Sequence, residues 1–141
     1  MPAPEFFLKI LKKYAEKRVG IVPGSDSMMN YNKANNNIII NAGDSLTIND
    51  IEVSWHCIND ALKHYPDRII INLSELTSID SAGIGFLVKV HKKTRIYCID
   101  LLFTGMSDSL KRLFLITGIL PFFNVIPLEE FDLSVMEYSL Y

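Results

Sequence analysis

The chain is predicted to fold as an α/β domain: a small mixed, mainly parallel β-sheet flanked by helices, with a hairpin at its start and an extra helix ahead of it. Three observations carry this expectation. Apolar residues recur at helical spacing in several separate segments, and short β-branched runs lie between them. The alternation of strand and helix over most of the 141 residues implies parallel pairing through right-handed crossovers. One run, "RIIINL" at 68–73, is continuously apolar in the manner of a strand covered on both faces.

Taken in order, residues 4–18 read as a helix. Phe7, Ile10, Leu11 and Tyr14 fall on one face, and Lys9, Lys12, Lys13, Lys17 and Arg18 cover the rest. Such a helix docks on the domain or on a second copy; lying on a membrane surface is the competing reading. Gly20, Pro23 and Gly24 end it. A weak strand at 27–32, an asparagine-rich turn and the strand "NIIINAG" form the hairpin. Ile48, Ile51, Trp55, Ile58 and Leu62 then run at spacings of three and four, a helix that begins after Thr47 and stops before Pro66. After the 68–73 strand, a helix opens within "SIDSAGIGFLV" (78–88), with Asp80 or Ser81 as its cap. A strand "IDLLF" (99–103) follows, then a helix from Ser107 to Gly118 capped by Ser107 or Asp108, with Leu110, Leu113 and Phe114 facing inward. A short strand "FNVI" and a last helix bearing Leu128, Phe131, Val135 and Tyr138 complete the chain. Residues 1–26 are thus read as a helical extension and 27–141 as the domain proper.

Composition removes several function classes. A net charge of −2 argues against a nucleic-acid binder, which carries a basic excess. No run reaches the ~18 apolar residues of a membrane span, and the first residues lack the pattern of a signal peptide. Cys57 and Cys98 match no metal-ligand spacing and each sits among apolar residues, so both are read as reduced, buried thiols. These features together predict a cytoplasmic protein without metal or cofactor.

The polar corner ahead of the third helix is the candidate site. Glycine in the first turns of a helix costs about 0.5–1 kcal/mol relative to alanine, so Gly83 and Gly85 suggest something packed against bare backbone, a strand or another protein. Ile84, Leu87, Val88 and His91 describe one apolar stripe while Phe86 and Val90 point elsewhere, leaving more apolar surface than one sheet covers. Packing on a neighbouring helix and docking of a partner both account for it. A serine nucleophile is disfavoured: Ile79 stands where the nucleophile elbow needs glycine, and the only histidine downstream, His91, is on the same helix. Nor is Gly83-Ile84-Gly85 a dinucleotide fingerprint, because Val88 replaces its third glycine. The chain is read as a non-enzyme.

"RIIINLSELTSIDSAGIGFLV", followed by "LLFTGMSDSLKRLFLITGILPFFNVIP", resembles the STAS domain of sulfate transporters and anti-sigma factor antagonists. The similarity runs from about residue 37 to 131. In anti-sigma factor antagonists the serine after the aspartate is phosphorylated, which here implies Ser81. The unphosphorylated protein binds an anti-sigma factor that is also a serine kinase of the histidine-kinase-like ATPase fold, and a PPM-type phosphatase restores it. The resemblance implies a partner surface from Asp44, Ser45, Leu46 and Thr47, the corner Asp80, Ser81, Ala82, Gly83, Ile84 and Gly85, and the loop Gly105, Met106, Ser107 and Asp108. Self-association as a weak homodimer belongs to the same picture. Two departures stand out: Ala82 replaces the usual serine or threonine, and Gly43-Asp44-Ser45-Leu46 replaces the usual Gly-x-Leu-Asp. The alternatives are a STAS regulatory subunit of an ABC-type lipid transporter and a STAS scaffold without the switch.

Overall fold

A computed structural model describes residues 28–126. Within it, β1 (Asn30–Ala34) and β2 (Asn37–Asn41) form an antiparallel hairpin, closed by a turn in which Asn35 takes φ 57°. Asparagine tolerates this left-handed geometry better than other non-glycine residues. The predicted hairpin is therefore present, with its first strand a few residues later than the sequence suggested.

Next come the two-residue strand β3 (Ser45–Leu46), helix α1 (Ile51–Leu62), strand β4 (Arg68–Asn72), the two-residue strand β5 (Ser78–Ile79) and helix α2 (Ser81–Ile96). Strand β6 (Asp100–Thr104), helix α3 (Asp108–Ile116) and the short β7 (Asn124–Val125) follow. The main sheet has the order β1-β2-β4-β6-β7, parallel from β2 onward, as the sequence predicted. Each crossover steps one strand further in the same direction. Right-handed connections of that kind place α1, α2 and α3 on one face of the sheet.

That face holds the core. Register places Tyr31, Ile40, Ile71 and Phe103 in one row, and Ile38, Ile69 and Leu101 in another. They pack with Cys57, Ile58 and Ala61 of α1, Phe86, Leu87 and Val90 of α2, and Leu110 and Phe114 of α3. Fully burying one such side chain stabilises by about 1.5–3 kcal/mol. Ile39 and Ile70, at the alternate positions, are buried too, so β2 and β4 are covered on both faces as "RIIINL" predicted.

Two expectations are corrected here. The inward face of α2 is Gly83, Phe86, Leu87, Val90 and Thr94, whereas Ile84, Val88 and His91 are only half-buried. The helix packs against both the sheet and its neighbour α1, where Trp55 meets Phe86 edge-on with ring centres 4.7 Å apart, so Phe86 and Val90 are core. Cys57 is buried as expected, and burial with the nearby Asp60 charge pushes its thiol pKa up to about 12; Cys98 is exposed. It lies past the end of α2 with φ 57°, in a turn where local sequence apolarity says nothing about burial. The predicted helices at 4–18 and after 126 lie outside the described residues.

Candidate functional site

The site is built from loops at the carboxyl ends of the parallel strands. β3 and β5 pair in parallel, Ser45 opposite Ser78 and Leu46 opposite Ile79, which clamps the 44–48 loop to the start of α2. The Asp44 carbonyl accepts from the backbone N–H of Thr77 and Ser78 (3.0 and 3.1 Å) and from the Thr77 hydroxyl (3.0 Å). Strands of two residues carry no period, so neither was visible in the sequence.

Asp80 is the cap of α2. Its extended backbone lets Oδ1 accept from the Gly83 N–H at 2.9 Å, satisfying one of the free donors of a helix start. Its Oδ2 accepts from the Ile48 N–H at 3.0 Å, across 32 residues of chain. These bonds, Gly83 first and Ile48 second, hold the Asp80 carboxyl below its ordinary pKa. Asp50 repeats the device nearby. Burial raises its pKa, but the Thr47 N–H (2.8 Å) and the hydroxyls of Ser45 (2.8 Å) and Thr47 (3.0 Å) outweigh burial and lower it.

The two glycines separate. A Cβ on Gly83 would run into the Leu46 carbonyl oxygen and lie 2.9 Å from Ile79 Cγ1. Gly83 is thus required by the backbone of β3. Among the described residues a Cβ on Gly85 would meet nothing within 4 Å. The fold gives no reason for glycine there.

Ser81, the first residue of α2, is exposed, and among the described residues its hydroxyl has no hydrogen-bond partner. The free N–H groups and the dipole of a helix start accommodate an anion at this position. Asp44 is also exposed, Ala82, Ile84 and Gly85 are half-buried, and Leu46 is fully buried in the core. The 44–47 loop and the 80–83 corner are therefore in direct contact.

The 105–108 loop lies at the same sheet end but is tied in through a different route. Gly105 takes φ 75°, and a Cβ on it would lie 2.7 Å from Asn72 Oδ1 and 2.8 Å from Ser74. Met106 turns into the core, Ser107 caps α3 by accepting from the Leu110 N–H at 3.1 Å, and Asp108 is exposed. Asn72 is the hub that sequence reasoning missed: its Oδ1 accepts from the Ser74 N–H (3.1 Å) and its Nδ2 donates to Asn41 (3.3 Å). A signal existed, since "NIIIN" and "RIIIN" both end in asparagine and pair in register.

Carboxylates dominate this end. Asp44, Asp50, Glu52, Glu75, Asp80 and Asp108 lie in its loops and first helical turns, against two exposed cations, Lys111 and Arg112, in the first turns of α3. His91 lies ten residues from Ser81 along α2, about 15 Å by helical rise, with its ring near Phe123. Among the described residues no group of three or more His, Cys, Asp or Glu side chains could hold a metal ion. No described helix is long and apolar enough to cross a membrane.

The model of the STAS domain family matches residues 3–132. No curated protein matches the chain. Among solved structures, an anti-sigma factor antagonist described as putative, from Thermotoga maritima, is similar at 19% identity and a TM-score of 0.66, covering 77% of this chain and 95% of that one. The Bacillus cell fate determinant SpoIIAA in its phosphorylated form is similar at 18% identity and a TM-score of 0.60, covering 77% and 99%. A sulfate transporter family protein from Wolinella succinogenes is similar at 15% identity and a TM-score of 0.61, covering 73% and 89%. At these identities the structures establish a shared fold, and the family match over nearly the whole length establishes membership: the chain belongs to the STAS domain family.

Proposed function

We propose that the chain is a phosphorylation-switched interaction module, an anti-sigma factor antagonist that binds a kinase-type anti-sigma factor when Ser81 is unmodified and releases it when Ser81 is phosphorylated. The observation that carries this reading is an exposed, unengaged Ser81 hydroxyl on a helix start already fixed by Asp80. The similarity to SpoIIAA, solved in a phosphorylated form, points the same way.

The physics of the switch is local. A phosphate adds about −1.5 to −2 charge beside Asp80, at an end of the domain where six carboxylates already outnumber Lys111 and Arg112 of α3. A docked partner that excludes water there would have to desolvate the added charge, at an effective penalty of several kcal/mol. The fold itself need not change, because Asp80, not Ser81, makes the cap. The partner surface combines Asp44, Ser45 and Thr47 with exposed Ile48, the 80–85 corner apart from buried Gly83, and Ser107 and Asp108; Leu46 and Met106, expected on it, face the core. The module acts without catalysis of its own in the cytoplasm, with the kinase and a PPM-type phosphatase as its partners.

The test is phosphosite mapping on protein recovered from its native cells, with co-captured proteins identified in the same sample. One phosphate on Ser81, lost in Ser81→Ala, is the expected result, with an ATPase-type kinase in the capture. A phosphate confined to Ser78 or Ser107 contradicts the assignment. A second reading, a STAS subunit regulating a membrane transporter such as an ABC-type lipid transporter, is favoured by the similarity to the sulfate transporter family protein. Capture of a permease and its ATPase in place of the kinase would establish it.

A further inference from the structure

The end of the domain away from Ser81 has the opposite chemistry. It comprises the last turns of α1 and α2, the 63–67 segment and the 96–99 turn, at the amino ends of β4 and β6. Lys33, Lys63, Arg68, Lys92, Lys93 and Arg95 lie at this end against Asp60, Asp67 and Asp100, six cations to three carboxylates. One of the three, Asp60, accepts from the Tyr31 hydroxyl at 2.6 Å and pairs with Lys63 at 4.0 Å. Three large apolar side chains stand out among the cations: Tyr65 is 88% exposed, Ile96 77% and Tyr97 59%. Between Tyr65 and Tyr97 opens a cavity of about 440 Å³ whose lining includes Lys63, Lys93, Asp67 and the apolar Leu62, Pro66 and Ile99. At its wall the Lys93 ammonium donates to Asn59 Oδ1 at 2.7 Å and sits 5.5 Å from the centre of the Trp55 ring.

We propose that this end is a docking surface for an anionic lipid bilayer. Charge complementarity selects an anionic partner. The arrangement of the apolar groups selects a bilayer over a protein: a protein interface has a contiguous, close-packed apolar core, whereas Tyr65 and Tyr97 stand exposed at the rim of an open cavity and Ile96 projects apart from it. Tyrosine rings and long lysine stems, each apolar with a polar tip, are the groups that settle at the headgroup level. Basic residues near an anionic leaflet add attraction that salt screens. The 16-residue α2 separates this end from Ser81 by about 24 Å, so a domain seated this way keeps the Ser81 corner facing away from the lipid. The inference stands independently of the switch.

The experiment is co-sedimentation of the full chain with vesicles of phosphatidylcholine alone or mixed with phosphatidylglycerol, at low and high salt. The prediction is binding to the mixed vesicles only, weakened by salt. It is reduced at least about tenfold in Lys63→Glu/Lys92→Glu/Arg95→Glu, whose three positions are exposed. Tyr65→Ser/Tyr97→Ser should weaken binding at fixed salt, with the melting temperature of each variant unchanged. No binding to mixed vesicles at low salt overturns the proposal. So does unchanged binding by the charge-reversed variant, which would assign the contact to residues such as Lys9–Arg18. Salt-sensitive self-association without vesicles, lost in the same variant, would make a second copy the occupant and also overturn it.

Discussion

Helices α2 and α3 both start at the same end of the sheet, directly after a loop, and both are capped by a side chain three residues ahead of the N–H it satisfies: Asp80 to Gly83 at 2.9 Å, Ser107 to Leu110 at 3.1 Å. The resemblance ends there. Ser107 has one hydroxyl oxygen and its bond is local. Asp80 has two oxygens, and the second reaches the Ile48 N–H in a loop 32 residues away. One cap closes a helix; the other also joins two loops of a candidate binding surface. A second joint reinforces the first, because Gly83 lets the Leu46 carbonyl rest against the helix backbone. The comparison explains why the first turn of α2 is a rigid platform on which Ser81 is displayed.

The sharpest way to break this difference is Gly83→Ala. The added methyl meets backbone of β3, which cannot rotate away as a side chain would, so β3 and α2 must separate. A loss of about 1–3 kcal/mol or more is expected in chemical denaturation, against a small gain if the site were open. Alanine at this position leaving stability unchanged would remove the second joint.

The caps come next. Asp80→Asn should lower the melting temperature more than Ser107→Ala, for which about 0.5–2 kcal/mol is expected. Hydrogen exchange should then show faster opening at Ile48 in the Asp80 variant only. The pH dependence has a defined sign. The folded-state pKa of Asp80 is depressed, so its contribution is complete above the ordinary carboxylate value of 3.8 and is lost as pH falls through the lowered folded value. Acid titration of stability should therefore be shallower in Asp80→Asn than in the parent chain. Matching acid profiles would mean that the two backbone bonds contribute nothing.

These elements also show what a sequence can and cannot disclose. The run of isoleucines at 69–71, the break before Pro66 and the Asp-Ser pair each act within a few residues, and strand, helix end and cap are where they were read. The role of Gly83 depends on Leu46, whose strand is two residues long and too short for any pattern. The bond from Asp80 to Ile48 is likewise a product of topology. The burial of Phe86 and Val90 is not legible from a single apolar stripe, because α2 is covered by both the sheet and α1.

The smallest stability effect is expected at Gly85. Nothing among the described residues meets a Cβ there, so Gly85→Ala should stabilise α2 by about 0.5–1 kcal/mol. On the proposed surface the same methyl stands where a partner must approach. Tighter folding with weaker partner binding is the predicted combination; tighter folding with unchanged binding would move the contact away from Gly85.

The central claim is that charge at position 81 controls binding while the platform stays folded. Isothermal titration of Ser81→Asp and Ser81→Ala against the captured kinase measures it directly, with a melting curve for each variant. Both should keep the fold, because the cap belongs to Asp80. Ser81→Ala should bind nearly as the parent chain does, and Ser81→Asp, with a second carboxylate beside Asp80, at least about tenfold more weakly. Equal affinities for the two folded variants would contradict the account.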